Sequence, residues 1–456
     1  RDLRMSRGLG DVYKRQRLSI LPLFTLLLSA CNDSNESIDL PLNDKEMGQR
    51  TVLVYMAAQN SLGSGNEITG YHKADSAEMM KGRRYLTANN RLLMLIDDKD
   101  APRLYQILPN QNKPRLVKRW NTDFCSTDPK RLQEVLELTK TSFPAKEYGL
   151  VMWSHADGWI TPTDTEYADY EKQKSRQTPH TYSFGIDSGP NGNLSNEGAQ
   201  MSITGMAQAI AQAGIHCKYV FFDACLMQNV EVGYALRHVA DYVVASPVAT
   251  PADGSYYTHN IQYGFFSDNP ADIARTYLND VRSDELQSSY ADYGLCIACV
   301  QTNKLQALAD VLKEALPHSL LANRNSPDMF TENEKGYKSE VLHYQPYCDN
   351  YYYRPHNYDA LQALKHILPA NYFDRAEAAL RNAIVFSGAT PSVYVGPGYW
   401  DYLNMPKNEA DYCSVSMFIP QTAYTHNASQ TRHGDLNEDF KRTEWYQAAG
   451  FDQTGW

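Results

Sequence analysis

Six apolar runs punctuate the first three hundred residues, and they constrain the fold more than any other feature. They are Thr51–Ala58 (TVLVYMAA), Arg91–Asp98 (RLLMLIDD), Tyr148–His155 (YGLVMWSH), Tyr219–Cys225 (YVFFDAC), Asp241–Ser246 (DYVVAS) and Tyr293–Gln301 (YGLCIACVQ). Each is short and largely continuous rather than alternating, the pattern of a strand buried on both faces. Between them lie stretches of helical spacing. Asp128–Ser142 sets Leu132, Val135, Leu136 and Leu138 on one side and opens on Asp128-Pro129, a helix start. Ser202–Ala213 stops at Gly214, and Gln228–Val239 reads as a further helix. Strands alternating with helices predict an α/β fold, a mostly parallel sheet between two helical layers. In such sheets chemistry gathers beyond the carboxyl ends of the strands.

After about residue 302 the pattern changes. Helices are predicted at 303–323, 359–368 and 372–386 around a tyrosine-rich loop, with a late strand at Ser414–Pro420 (SVSMFIP). The expected organisation is a main domain at 51–301 and a C-terminal α+β subdomain at 302–456.

The first fifty residues read as targeting and tether. Lys14, Arg15 and Arg17 precede Leu18–Leu28, an apolar run too short to span a bilayer but suited to the core of a signal peptide. The run ends in Leu28-Ser29-Ala30-Cys31, which resembles a bacterial lipobox. That resemblance implies cleavage after residue 30 and lipidation of Cys31. A plain secretory signal followed by an incidental cysteine is the alternative. Residues 1–16 have no Met at the start and read as a doubtful extension of the signal, and 31–50 as a polar tether. The expected location is the bacterial cell envelope, lipid-anchored, with the outer membrane preferred.

The net charge of −10 argues against a nucleic-acid partner, because no broad cationic surface is available to track phosphates. Eight cysteines in 456 residues are too few for a disulfide scaffold. Cys296 and Cys299 form a CxxC inside an apolar strand and read as buried thiols rather than a metal or redox site. Asp187–Glu197 (DSGPNGNLSNE) faintly resembles a calcium loop, and a polar turn is the duller reading. His343–Asp359 offers either an aromatic peptide- or glycan-binding surface or a packed tyrosine-rich loop. No HExxH, GxSxG or phosphate-binding loop is present.

Two strand ends carry nucleophile chemistry. His155 closes YGLVMWSH before ADGW, and Cys225 closes YVFFDAC before LMQNVE. A thiol beside an imidazole attacks an amide carbonyl, and backbone N–H groups stabilise the oxyanion. Spacing alone leaves open a buried cysteine and a merely hydrogen-bonded histidine.

The flanking words narrow this. TVLVYMAAQNSLG, LVMWSHADGW, SFGID and FFDACLMQNVEVGYAL resemble the clostripain family of cysteine peptidases, which shares the caspase-like fold with gingipains, legumains and caspases. The resemblance implies a caspase-like three-layer αβα sandwich over residues 51–301, with His155 and Cys225 as catalytic dyad. It implies Asp223 as an acid of the specificity pocket for basic residues. On a strand, Asp223 shares a face with Cys225. Asp253, in TPADGSYY, falls near a second pocket acid. Oxyanion donors would be the backbone N–H groups of Ala156 and Cys225. Ala156 departs from the glycine usual in the family, and a methyl group there opposes any conformation needing positive φ. The polar stretch after His155 holds Lys172, Lys174 and Arg176, candidates for activating self-cleavage. No cofactor is called for, and calcium stays open because relatives sometimes depend on it. The expectation is a lipid-anchored, monomeric endopeptidase acting on protein or peptide substrates after Arg or Lys. The rival is a catalytically silent lipoprotein of the same fold that holds peptides or glycans.

Overall fold

The computed structural model describes residues 45–64, 70–160, 183–189, 194, 198–283, 293–327, 329–333, 336–339, 341–345, 356–395, 402–425 and 435–456. The expected signal segment with Cys31, the basic trio Lys172, Lys174 and Arg176, most of Asp187–Glu197 and most of the tyrosine-rich loop lie outside the described residues.

The chain begins β1 (Gly48–Ala57), α1 (Tyr71–Gly82), β2 (Asn90–Asp97), β3 (Arg103–Ile107), β4 (Arg115–Arg119), α2 (Pro129–Ser142) and β5 (Ala145–Trp153). It continues with β6 (Phe184–Asp187), β7 (Ala199–Met201), α3 (Ile203–Gln212), β8 (Cys217–Asp223), α4 (Val230–Ala235), β9 (Ala240–Ala245), α5 (Ala271–Arg282) and β10 (Cys296–Gln301). Then come α6 (Leu305–Ala315), β11 (Phe330–Asn333), β12 (Gly336–Ser339), β13 (Tyr358–Asp359), α7 (Ala360–Ile367) and α8 (Ala370–Ala383). The chain closes with β14 (Ile384–Ala389), β15 (Ser392–Tyr394), β16 (Tyr402–Asn404), β17 (Ser416–Met417), α9 (Leu436–Phe440) and α10 (Glu444–Ala448).

Nine strands form one sheet in the order β14-β10-β9-β8-β5-β1-β2-β3-β4. Its five central strands, β9 to β2, run parallel. The flanks are antiparallel: β3 and β4 on one side, β10 and β14 on the other. The alternation of side chains along each strand divides the core in two. Leu53 and Tyr55 of β1 and Val220 and Phe222 of β8 face one helical layer, with Leu132 and Val135 of α2, Met206 of α3 and Leu308 of α6. Val52, Val54 and Met56 of β1 and Tyr219 and Phe221 of β8 face the other, with Met79 of α1 and Ile273 and Tyr277 of α5. This is a three-layer αβα sandwich. Helix α2 starts as the sequence dictates: Pro129 opens its first turn and the Asp128 carboxylate accepts from the Lys130 N–H at 2.9 Å.

Residues beyond 302 take part in this same sandwich. β14 extends the sheet beside β10, and Leu361, Leu380 and Trp445 belong to the core cluster that contains β8. The helix expected at 372–386 ends at Ala383, where IVFSGA turns into β14. The late strand is shorter than expected: only Ser416 and Met417 pair, antiparallel with β13. Cys125, Cys217, Cys296, Cys299 and Cys413 are buried free thiols.

Candidate active site

β5 and β8 are parallel neighbours in a register that sets Trp153 opposite Asp223. His155 lies two residues past Trp153, and Cys225 two past Asp223. The two strands therefore release the imidazole and the thiol at the same level of the same sheet edge. The loops converge: Asp157, two residues beyond His155, is close enough to disfavour the Cys225 thiolate electrostatically.

The thiol is half-buried, and burial is the main influence raising it above its ordinary value. Thr250 opposes this from the end of β9's loop. Its N–H reaches Cys225 Sγ at 3.4 Å and its Oγ1 lies at 3.7 Å. His155 Nε2 lies 2.9 Å from Ser61 Oγ in the loop after β1.

The residue after Cys225, Leu226, has φ 61°, a left-handed conformation that strains a side chain with a Cβ by about 1–3 kcal/mol. Its N–H is bound to Val248 O at 3.1 Å. Beyond it, the chain is clamped from near the C-terminus. Ser416 N donates to Gln228 O at 2.8 Å, Asn229 Nδ2 to Ser416 Oγ at 2.9 Å, and Phe418 N to Glu231 Oε1 at 2.9 Å.

Ala156 is not left-handed. The turn after His155 places its positive φ on Gly158, at 83°. Ala156 instead bridges Phe184, through Asp157 N to Ser183 O at 2.9 Å and Gly185 N to His155 O at 2.8 Å. Among the described residues, no acceptor takes the N–H of Ala156 or of Cys225. Both N–H groups are thus left to donate to another acceptor.

A group of carboxyl side chains gathers around Asp223, which itself acts electrostatically on the Cys225 thiol. Asp223 is buried and wrapped by the loop that carries Asp253. Ser255 N donates to both of its oxygens, at 3.2 and 3.1 Å, and Tyr257 OH to Oδ2 at 2.9 Å. The wrapping requires glycine at 254: φ is 64°, and a Cβ there would sit 2.7 Å from Asp223 Oδ2. Burial pushes Asp223 up to about 6, against the pull of Ser255 and Tyr257. Burial also raises Asp253.

Sequence reading missed two further acids, Asp75 and Glu78 of α1. Trp153 Nε1 donates to Asp75 Oδ2 at 2.7 Å, and Tyr257 N to Glu78 Oε2 at 3.0 Å. Burial, then Asp223 and Glu78, raise Asp75 well above its usual range. Burial pushes Glu78 up to about 8, with Asp223 and Asp253 adding to it. Their three-residue spacing puts them on one helix face, the only sequence signal that pairs them. Among the described residues, no group of three or more His, Cys, Asp or Glu side chains is arranged to hold a metal ion.

A sequence profile of the clostripain family matches residues 54–454. Among solved structures, a secreted C11 cysteine protease from Bacteroides thetaiotaomicron in complex with an irreversible peptide inhibitor is 25% identical. That match has a TM-score of 0.67 and covers 89% of this chain and 100% of that one. An inactive zymogen C11 protease from Parabacteroides distasonis is 23% identical, with a TM-score of 0.66, covering 89% of this chain and 99% of that one, and shares the fold. No curated protein matches the sequence.

Proposed function

This chain belongs to the clostripain family and is a cysteine peptidase, and we propose that it cleaves protein or peptide chains after Arg or Lys through a Cys225–His155 dyad. The shared register of Trp153 and Asp223 carries the reading. His155 takes the Cys225 proton, the sulfur attacks the scissile carbonyl, and the N–H groups of Ala156 and Cys225 receive the oxyanion. The imidazolium then protonates the leaving amine. Water, deprotonated by His155, hydrolyses the thioester and restores the thiol.

Asp223 and Asp253 provide the charge for a basic P1 side chain. Buried carboxylates repel one another, so a guanidinium or ammonium entering among them relieves a penalty already present in the free protein. Self-cleavage after Lys172, Lys174 or Arg176 is proposed as the activating step. Their position in a polar stretch after His155 supports it. Lipidation of Cys31 is proposed to anchor the protein, as a monomer, in the bacterial envelope, preferably at the outer membrane. The support is the apolar run before Cys31. Among the described residues, no helix is long and apolar enough to cross a membrane.

The test is hydrolysis of fluorogenic peptides with Arg, Lys, Asp or Ala at P1, by the wild type and by Cys225→Ala, with and without calcium. Cleavage after Arg or Lys that disappears in Cys225→Ala is the expected result. Full activity in Cys225→Ala would refute the dyad.

A further inference from the structure

We propose that Ser61 is a positioning residue for His155: its hydroxyl oxygen accepts the Nε2–H and so holds Nδ1 as the base that serves Cys225. The inference rests on the dyad reading above. Its observation is the 2.9 Å separation of Ser61 Oγ and His155 Nε2. A neutral imidazole has one N–H and one lone pair, and the partner of one nitrogen decides which chemistry the other performs. A nucleophile–base pair in which a third group orients the base is the general form of such sites.

What makes Ser61 suitable is the rigidity of the loop beneath it. Asn60, fully buried, donates through Nδ2 to Ala57 O at 2.8 Å, to Ile186 O at 2.9 Å and to Ser154 Oγ at 3.2 Å. Its Oδ1 accepts from Leu62 N at 2.9 Å. Ser154, the residue before His155, donates its hydroxyl to Ala57 O at 2.7 Å and accepts from Ile186 N at 3.3 Å. The backbone on either side of Ser61 is thus fastened to the strand end that carries His155, and β6 locks both. A hydroxyl mounted this way fixes the imidazole's rotation at little entropic cost, because its own carrier is already ordered.

The proton inventory is simple. The thiol proton moves to Nδ1, the Nε2–H stays on Ser61 throughout, and Nδ1 passes its proton to the leaving amine. Ser61 gains and loses nothing, so its removal slows the reaction without abolishing it.

The test uses the full chain with Ser61→Ala, Ser61→Thr, Cys225→Ala and His155→Ala, assayed on a peptide with Arg at P1. Ser61→Ala is expected to lower kcat by roughly 10–100-fold with KM within about twofold. Ser61→Thr, which keeps the hydroxyl, restores most of the rate. The acid limb of the kcat/KM profile moves in Ser61→Ala while the melting temperature does not. Wild-type kcat in Ser61→Ala, beside inactive Cys225→Ala and His155→Ala, overturns the positioning role and leaves the dyad standing. A loss in Ser61→Ala that comes with a lowered melting temperature and no rescue by threonine also overturns it. Activity surviving in Cys225→Ala instead removes the dyad itself, and is read separately.

Discussion

Thr250 reaches the sulfur of Cys225 with both its N–H and its hydroxyl, at 3.4 and 3.7 Å. Both contacts favour the thiolate against burial, which disfavours it. Thr250→Val keeps the N–H and removes the hydroxyl. The alkaline limb of kcat/KM, which belongs to the coupled thiol and imidazole, should move up by about half a pH unit. Steady-state rates between pH 5 and 10 measure it.

Burial pushes Asp223 up to about 6. Its carboxylate is charged above that value, so under the proposed basic specificity the attraction for P1 should be present above about pH 6 and fade as the pH falls. Peptides with Arg at P1 should therefore show an acid limb that peptides with Ala at P1 lack. Asp223→Asn should lower kcat/KM for Arg by about 100-fold or more and leave Ala nearly unchanged. Paired pH profiles on the two substrates decide the matter.

Ala156 has no left-handed φ to relieve. Ala156→Gly should therefore leave kcat within about threefold and cost up to about 1 kcal/mol of stability through the freer unfolded chain. Thermal melting and kcat on the same sample check both halves. A large gain in kcat would mean that the methyl group obstructs the oxyanion site.

Glu231 is buried in α4, with Oε1 on Phe418 N and, among the described residues, no partner for Oε2. Burial lifts it from 4.5 to about 8. The native state therefore binds a proton that the unfolded chain releases at lower pH. Stability from this group is whole below pH 4.5 and is lost as the pH rises towards 8. Glu231→Gln keeps the bond to Phe418 and removes the titration. The two melting temperatures should agree at pH 5 and separate by pH 9, with the variant higher.

The parallel centre of the sheet was legible because burial on both faces leaves no room for polar alternation. RLLMLID and TVLVYMA announce themselves, whereas spacing alone left the roles of His155 and Cys225 open. The flanks were not legible. RLVKR, in the edge strand β4, mixes charge with apolar residues because edge positions meet water, and RLYQI, in β3, carries Arg103, whose guanidinium is paired with Asp98. IVFSGA continues a helical pattern in sequence and becomes β14 because β10 offers it an open edge. The equal level of His155 and Cys225 depends on which strands pair and in what register, information spread over seventy residues. Asp75 and Glu78 were hidden on a helix with little apolar periodicity. Ser61 was hidden because a lone serine in a turn has many commoner uses than touching an imidazole.

The clamp of Ser416 and Phe418 on the segment after Cys225 also bears on the order in which the protein is made. A ribosome must deliver nearly the whole chain before residues 228–231 have their partners. A polypeptide halted short of Ser416 already contains Cys225 and His155, yet lacks the brace on the segment that follows the strained turn at Leu226. The segment that follows Cys225 thus reaches its final bonding only once synthesis has passed Phe418.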